Sequence, residues 1–162
     1  IITIEFLEHE IINKDFKTEL SDIFPNITKK NITLKGNIDR IDIFNNQYRI
    51  IDYKTGSVQS SELVCSDLGD MQSKPKILQL LLYTWLFKKS IKTQSMPVLA
   101  GVINLRARNF EFQKCRIEKK SEIDQKLLMH FADELDTIFI DMFDPKQKFE
   151  HNDRDENCRF CD

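Results

Sequence analysis

A chain of 162 residues with 41% apolar side chains is long enough to bury a core without disulfide staples, and it reads as one domain spanning residues 1–162. Its formal net charge of −2 excludes a global basic field, so any contact with a polyanion has to be local. The most apolar run, Ile77 to Phe87, contains Gln79 and falls well short of the ~20 residues that cross a bilayer; with no secretory leader visible, the expectation is a cytoplasmic protein with no membrane partner.

In chain order, Ile2–Ile12 admits a strand or a short helix, and strand is the assignment adopted. Thr18–Phe24 reads as a short helix or turn ended by Pro25-Asn26. The runs Asn31–Phe44 and Tyr48–Tyr53 are rich in β-branched and aromatic residues, and Asn45-Asn46 between them predicts a hairpin. Residues 57–75 are polar and read as a long loop with one short helix over Ser60–Val64. Ile77–Lys89 has the apolar density of a buried helix, Pro97–Leu105 reads as a core strand, and Phe110–Ile117 is placed beside it. Ser121 followed by Asp124 resembles a capping box. Ile123, Leu127, Phe131, Leu135, Ile138 and Met142 then recur at helical spacing until Asp144-Pro145. The pattern predicts a mixed α/β fold.

Four cysteines, at 65, 115, 158 and 161, lack the spacing of a secreted disulfide framework and are expected to be reduced. Cys65 and Cys115 read as half-buried thiols. Basic clusters at Lys29-Lys30, Lys74 with Lys76, Lys88-Lys89 and Arg106 with Arg108 permit local anion contacts without specifying them.

Strand alternation places Asp39 on one face with Ile41 and Ile43, and Asp52 and Lys54 on one face with Ile50. A carboxylate among apolar neighbours is costly unless it is paired, hydrogen-bonded or bound to a metal. Mg²⁺ favours one or two carboxylates completed by water and phosphate. A hairpin that sets Asp39 beside Asp52 would build such a site, with Lys54 projecting from the same face to stabilise charge on a phosphate in transfer. A D-x-K triplet by itself is weak evidence, since average composition gives about even odds of one in a chain this long.

The triplet does not stand alone. Gly36-Asn37-Ile38-Asp39-Arg40-Ile41-Asp42 precedes it, Thr55-Gly56 follows it, and the next helix carries Gln79-Leu80-Leu81-Leu82-Tyr83, with Gln79 and Tyr83 four apart on one face. This ordered set resembles the RecB-like branch of the PD-(D/E)XK nuclease superfamily, closest to the nuclease domains of AddB-type helicase-nuclease subunits, from about Ile32 to Cys161. The resemblance implies a restriction-endonuclease-like core: a mixed central β-sheet flanked by helices. It also implies Mg²⁺- or Mn²⁺-dependent hydrolysis of DNA, by an exonuclease working with a helicase subunit or domain in double-strand break repair. Asp39, Asp52 and the backbone carbonyl of Tyr53 would hold the metal, Lys54 would be the catalytic lysine, and Gln79 and Tyr83 would complete the site. Arg40 and Asp42 are given a structural ion-pair role. The family takes a further ligand, His or Glu, from a helix ahead of the first strand. The sequence reads as starting after that helix, leaving His9 and Glu8 as the upstream candidates. Cys158 and Cys161 match the late C-x-x-C of a 4Fe-4S cluster found in AddB-like members, and two thiolates do not close such a cluster. The tail at 151–162 is therefore expected to be truncated, with a cluster only in the full-length protein. The alternative expectation is a catalytically incomplete nuclease-like module that binds DNA or a helicase partner.

Overall fold

The computed structural model describes residues 2–17, 23, 31–91 and 96–148. Its centre is a mixed sheet in the order β1 (Ile2–Lys17), β2 (Asn31–Phe44), β3 (Gln47–Lys54), β5 (Val98–Asn104) and β6 (Phe112–Lys114), with the short β8 (Glu122–Ile123) also paired to β5. The first three strands are antiparallel neighbours, β3 and β5 run parallel, and β6 returns antiparallel to β5. The hairpin between β2 and β3 turns at Asn45 and Asn46, both at positive φ (50° and 60°), the left-handed conformation that asparagine tolerates best among residues with a Cβ.

Parallel strands need a crossover, and α1 (Pro75–Ser90) supplies it between β3 and β5. Pro75 occupies the first helical turn, where its missing N–H costs nothing. The helix buries Ile77, Leu80, Leu81, Thr84, Trp85, Leu86 and Phe87 and packs on β1, β2, β3 and β5. The second helix, α2 (Gln125–Phe143), is amphipathic: Leu127, Leu128, Phe131 and Leu135 are buried. Phe16 of β1 meets Trp85 of α1 and Phe139 of α2 edge-on, tying both helices to the long strand. The architecture is mixed α/β, a central sheet of parallel and antiparallel strands with flanking helices.

Several details differ from the sequence reading. The segment 57–75 has its expected short helix, as a 3-10 turn, and more structure than the sequence led one to expect. It holds 3-10 turns at Ser60–Leu63 and Leu68–Ser73 around the two-residue β4 (Val64–Cys65), pinned by burial of Leu63, Leu68 and Met71. Of the run 110–117, Phe112–Lys114 pair with β5 and the Cys115 N–H still donates to the Ala100 carbonyl at 2.9 Å. After Cys115 the chain leaves the main sheet, and β7 (Arg116–Ile117) pairs with β4 in a separate two-stranded sheet. The cap of α2 is Asp124, whose carboxylate accepts from the Leu127 N–H, so Ile123 lies in β8 rather than on the helix and Ser121 precedes that strand. Asp124 wins because its side chain reaches the third helical N–H directly. Cys65 and Cys115 are fully buried rather than half-buried, and burial pushes the Cys115 thiol up to about 12. The segment Thr18–Phe24 lies, apart from Ile23, outside the described residues, as do Cys158 and Cys161.

Candidate active site

The buried positions of β2 step by two through Leu34, Gly36 and Ile38, and the next is Ile41. The alternation slips by one residue at Asp39-Arg40, so Asp39 does not share the simple face with Ile41 and Ile43 that a regular strand dictates. The ladder between β2 and β3 ends at Arg40 opposite Ile51. Beyond it the Asp39 side chain reaches across the gap: its Oδ2 accepts the Tyr53 N–H at 2.7 Å. A carboxylate thus takes the place of a strand carbonyl as the partner of Tyr53, which brings Asp39 to the carboxyl end of β3, where Asp52 and Lys54 stand.

Asp52 is buried, and this pushes its carboxyl above the ordinary range; the nearby Lys54 ammonium pulls the other way and the charge of Asp39 adds to the rise. Lys54 Nζ lies 2.8 Å from Asp52 Oδ2. The contact is an ion pair on a buried carboxylate oxygen. Nζ also donates to Gln79 Oε1 at 2.9 Å, and Gln79 Nε2 donates to the Tyr83 hydroxyl at 2.9 Å. Strand β3 and helix α1 are therefore joined by a continuous polar chain from Asp52 through Lys54 and Gln79 to Tyr83. Gln79 and Tyr83 have one role visible in the geometry: they aim the lysine.

Gly36 explains the first position of the GNIDRID run. A Cβ there would sit 2.9 Å from Tyr83 Cδ1 and 2.9 Å from Leu86 Cδ1, closer than packed carbons approach. Gly36→Ala is expected to push α1 off β2, displacing Tyr83 and with it Gln79. The expected cost is about 1–3 kcal/mol of stability, read by urea denaturation; an unchanged midpoint would show that the helix does not rest on this glycine.

Arg40 and Asp42 form a structural unit behind the site. Asp42 is 0% exposed, receives two parallel hydrogen bonds from Arg49 at 2.7 and 2.8 Å, and pairs with Arg40 Nη2 at 2.5 Å. Arg40 Nη1 also reaches the Tyr53 hydroxyl at 3.4 Å.

The upstream candidates separate. His9 stacks its ring on Phe6 with centroids 4.3 Å apart. Glu8 lines a cavity of about 490 Å³ together with Asp39, Tyr53 and Leu7. It does so from a positive φ of 47°, a conformation non-glycine residues seldom hold. Among the described residues no three His, Cys, Asp or Glu side chains converge closely enough to hold a metal by themselves.

Two more residues lie near the site: Lys76, legible in the sequence only as half of a basic cluster, and Glu62, which no motif marks. Lys76 is close enough to help hold Asp52 charged, and Glu62 anchors it at 2.5 Å while also accepting the Gln59 N–H at 2.8 Å. The signal was present in the spacing: Lys76, Gln79 and Tyr83 stand at i, i+3 and i+7, one face of a helix. Glu62 was out of reach of such reasoning, because a 3-10 turn and not a helical period brings it to Lys76.

The donor set fits a divalent cation. Two carboxylates and a backbone carbonyl at a strand end match what Mg²⁺ takes from protein, and the buried Oδ2 of Asp52 has a lone pair suited to a cation.

Residues 2–162 match the PD-(D/E)XK nuclease superfamily, and the chain belongs to it. Members of that superfamily are in general metal-dependent nucleases. The chain matches no curated protein. No helix among the described residues is long and apolar enough to cross a membrane.

Proposed function

We propose that this chain is a metal-dependent deoxyribonuclease domain in which Asp39, Asp52 and the Tyr53 carbonyl hold Mg²⁺ or Mn²⁺ and Lys54 is the catalytic lysine. The observation that carries this reading is the joining of Asp52, Lys54, Gln79 and Tyr83 into one hydrogen-bonded and ion-paired chain, with Asp39 bonded to the residue between Asp52 and Lys54. A bound cation supplies Lewis acidity toward a phosphate oxygen and toward water. The protein's own part is positioning and electrostatics. Lys54 sets a positive charge beside the phosphate that is cut, where negative charge grows in the transition state. Gln79, held by Tyr83, keeps the ammonium from folding away. Burial of Asp52 lowers the local dielectric, so its charge binds a cation more tightly than an exposed carboxylate does.

The ordered motifs GNIDRID, RIIDYKTG and QLLLY further support a RecB-like assignment, close to AddB-type subunits. On that reading the domain is an exonuclease that acts beside a helicase subunit or domain in double-strand break repair, in the cytoplasm. Cys158 and Cys161 would contribute to a 4Fe-4S cluster in the full-length protein. The second reading, a nuclease-like module that binds DNA or a helicase partner without cutting, is favoured by the absence of three converging acidic, His or Cys ligands among the described residues.

Incubating the protein with linear DNA and Mg²⁺ or Mn²⁺, alongside calorimetric titration of Mn²⁺, separates the two. The nuclease reading expects cleavage that EDTA stops and a Mn²⁺ isotherm lost in Asp39→Ala. The binding-module reading expects no cleavage and DNA affinity indifferent to EDTA.

A further inference from the structure

Strands β3 and β5 are parallel, with Lys54 opposite Asn104, and the Leu105 N–H donates to the Lys54 carbonyl at 2.8 Å. The segment 105–111 therefore grows out of the strand end next to Lys54, at the carboxyl edge of parallel strands where α/β sheets place their ligands. Its backbone is held by Asn104: the side-chain Oδ1 accepts the Arg106 N–H at 2.8 Å and the backbone carbonyl accepts the Ala107 N–H at 3.2 Å. What it displays is unusual for a solvent loop. Phe110 is 66% exposed and Leu105 45%, and Arg106 and Arg108 are exposed between them.

A cavity of about 780 Å³ continues from the far end of this loop, lined by Lys74, Lys114 and Arg116 together with Ser60, Asp70 and Glu111. In a chain whose net charge is −2, Arg106 and Arg108 beside the exposed ring, with Lys74, Lys114 and Arg116 set against Asp70 and Glu111 in the cavity beyond it, make a local excess of positive charge, the condition for holding a polyanion. An aromatic face flanked by arginines is the chemistry that grips unpaired nucleotides: bases stack on the ring and phosphates meet the guanidinium groups. A duplex offers the phosphates without a free base face.

We infer that the 105–110 loop is a single-strand platform that feeds one DNA strand to Lys54, with Phe110 stacking a base and Arg106 and Arg108 holding the adjoining phosphates. The identity of the ligand rests on the nuclease reading. The loop's role does not require cleavage.

The test measures binding of a fluorescently labelled oligo-dT and of a blunt duplex by anisotropy, in EDTA so that nothing is cut, over a range of salt concentrations. Phe110→Ala is expected to weaken oligo-dT binding by roughly fivefold to a hundredfold and to leave duplex binding within about twofold. Arg106→Ala combined with Arg108→Ala is expected to reduce the slope of log affinity against log salt on oligo-dT by about 1.4, two single-strand phosphate contacts. Melting curves of both variants are expected to match the parent, since all three side chains are exposed. Unchanged oligo-dT binding in Phe110→Ala, an equal loss on duplex and single strand, an unchanged salt slope, or no oligo-dT binding by the parent protein overturns the inference. Failure of the nuclease reading looks different: a protein that cuts nothing in Mg²⁺ or Mn²⁺ but binds oligo-dT through Phe110 loses the enzyme assignment and keeps the platform.

Discussion

Asp52→Asn is expected to lose metal-dependent cleavage by at least about a hundredfold, beyond what altering residues outside a metal's ligands costs, and at the same time to raise the melting temperature of the metal-free protein at pH 7. The two effects share one cause. Burial holds the Asp52 carboxyl above its ordinary range in the folded state, so the folded protein binds that proton more tightly than the unfolded chain does. The resulting penalty is absent below the ordinary carboxylate range, grows as pH rises toward the folded value, and is complete above it. An uncharged amide of the same shape removes the penalty, so the gain in melting temperature is expected to vanish at acid pH and to grow as pH rises through the folded value, at about 2–4 °C per kcal/mol for a chain of this size. Lys54 keeps Gln79 as its partner in that variant. Lys54→Ala is expected to cut activity by about 10²–10³ while moving stability the other way, because it leaves Asp52 without its counter-charge. Calorimetric melting at two pH values and a cleavage assay check both. An Asp52→Asn protein that cuts at the parent rate would remove Asp52 from the site, and one that melts lower at pH 7 would show that burial of its charge does not destabilise the fold.

The second large effect concerns the fold behind the site. Asp42→Asn is expected to cost about 3–5 kcal/mol of stability, the range for removing one partner of a buried ion pair. Asp42 is fully buried and is the counter-charge for both Arg40 and Arg49, whose side chains are only 18% and 12% exposed. Arg49 is sandwiched as well, its guanidinium 4.7 Å from the Phe44 ring centroid and 5.3 Å from that of Phe112. It cannot swing to solvent without giving up both rings. The contrast is the exposed pair of Lys35 and Glu10, 2.6 Å apart at 60% and 52% exposure, where Glu10→Gln is expected to change stability by less than about 1 kcal/mol. Urea denaturation of the two variants reads the difference. If they fall within error of each other, the buried triad does not hold the hairpin.

Local signals placed the residues of the candidate site on a hairpin and on one helix face, while their roles came only from the resemblance of the ordered motifs to the PD-(D/E)XK pattern. A β-branched run with two asparagines between its halves specifies a hairpin, and a carboxylate inside such a run demands a partner. Gln79 and Tyr83 declare a shared face by their spacing on a helix that Pro75 begins. Glu62 and Lys76 show the limit of that reasoning: their 2.5 Å contact closes between a 3-10 turn and a helix, and no period in the chain encodes it. Gly36 shows it from the other side. A glycine in a strand looks like a weakness until the ring of Tyr83 and the methyl of Leu86 are found against it.

Alternating strands, two helices and an acidic hairpin follow from the side-chain pattern alone, because burial period and turn chemistry act over a few residues at a time. That same pattern put Asp39 on a regular face and made Ile123 the start of a helix. Tertiary structure decided otherwise in both places, for one reason: a buried backbone N–H takes the acceptor that packing brings to it. The Tyr53 N–H, left without a strand partner where the ladder ends, takes the Asp39 carboxylate. The Leu127 N–H takes Asp124, which leaves Ile123 free to pair with Val98 on β5.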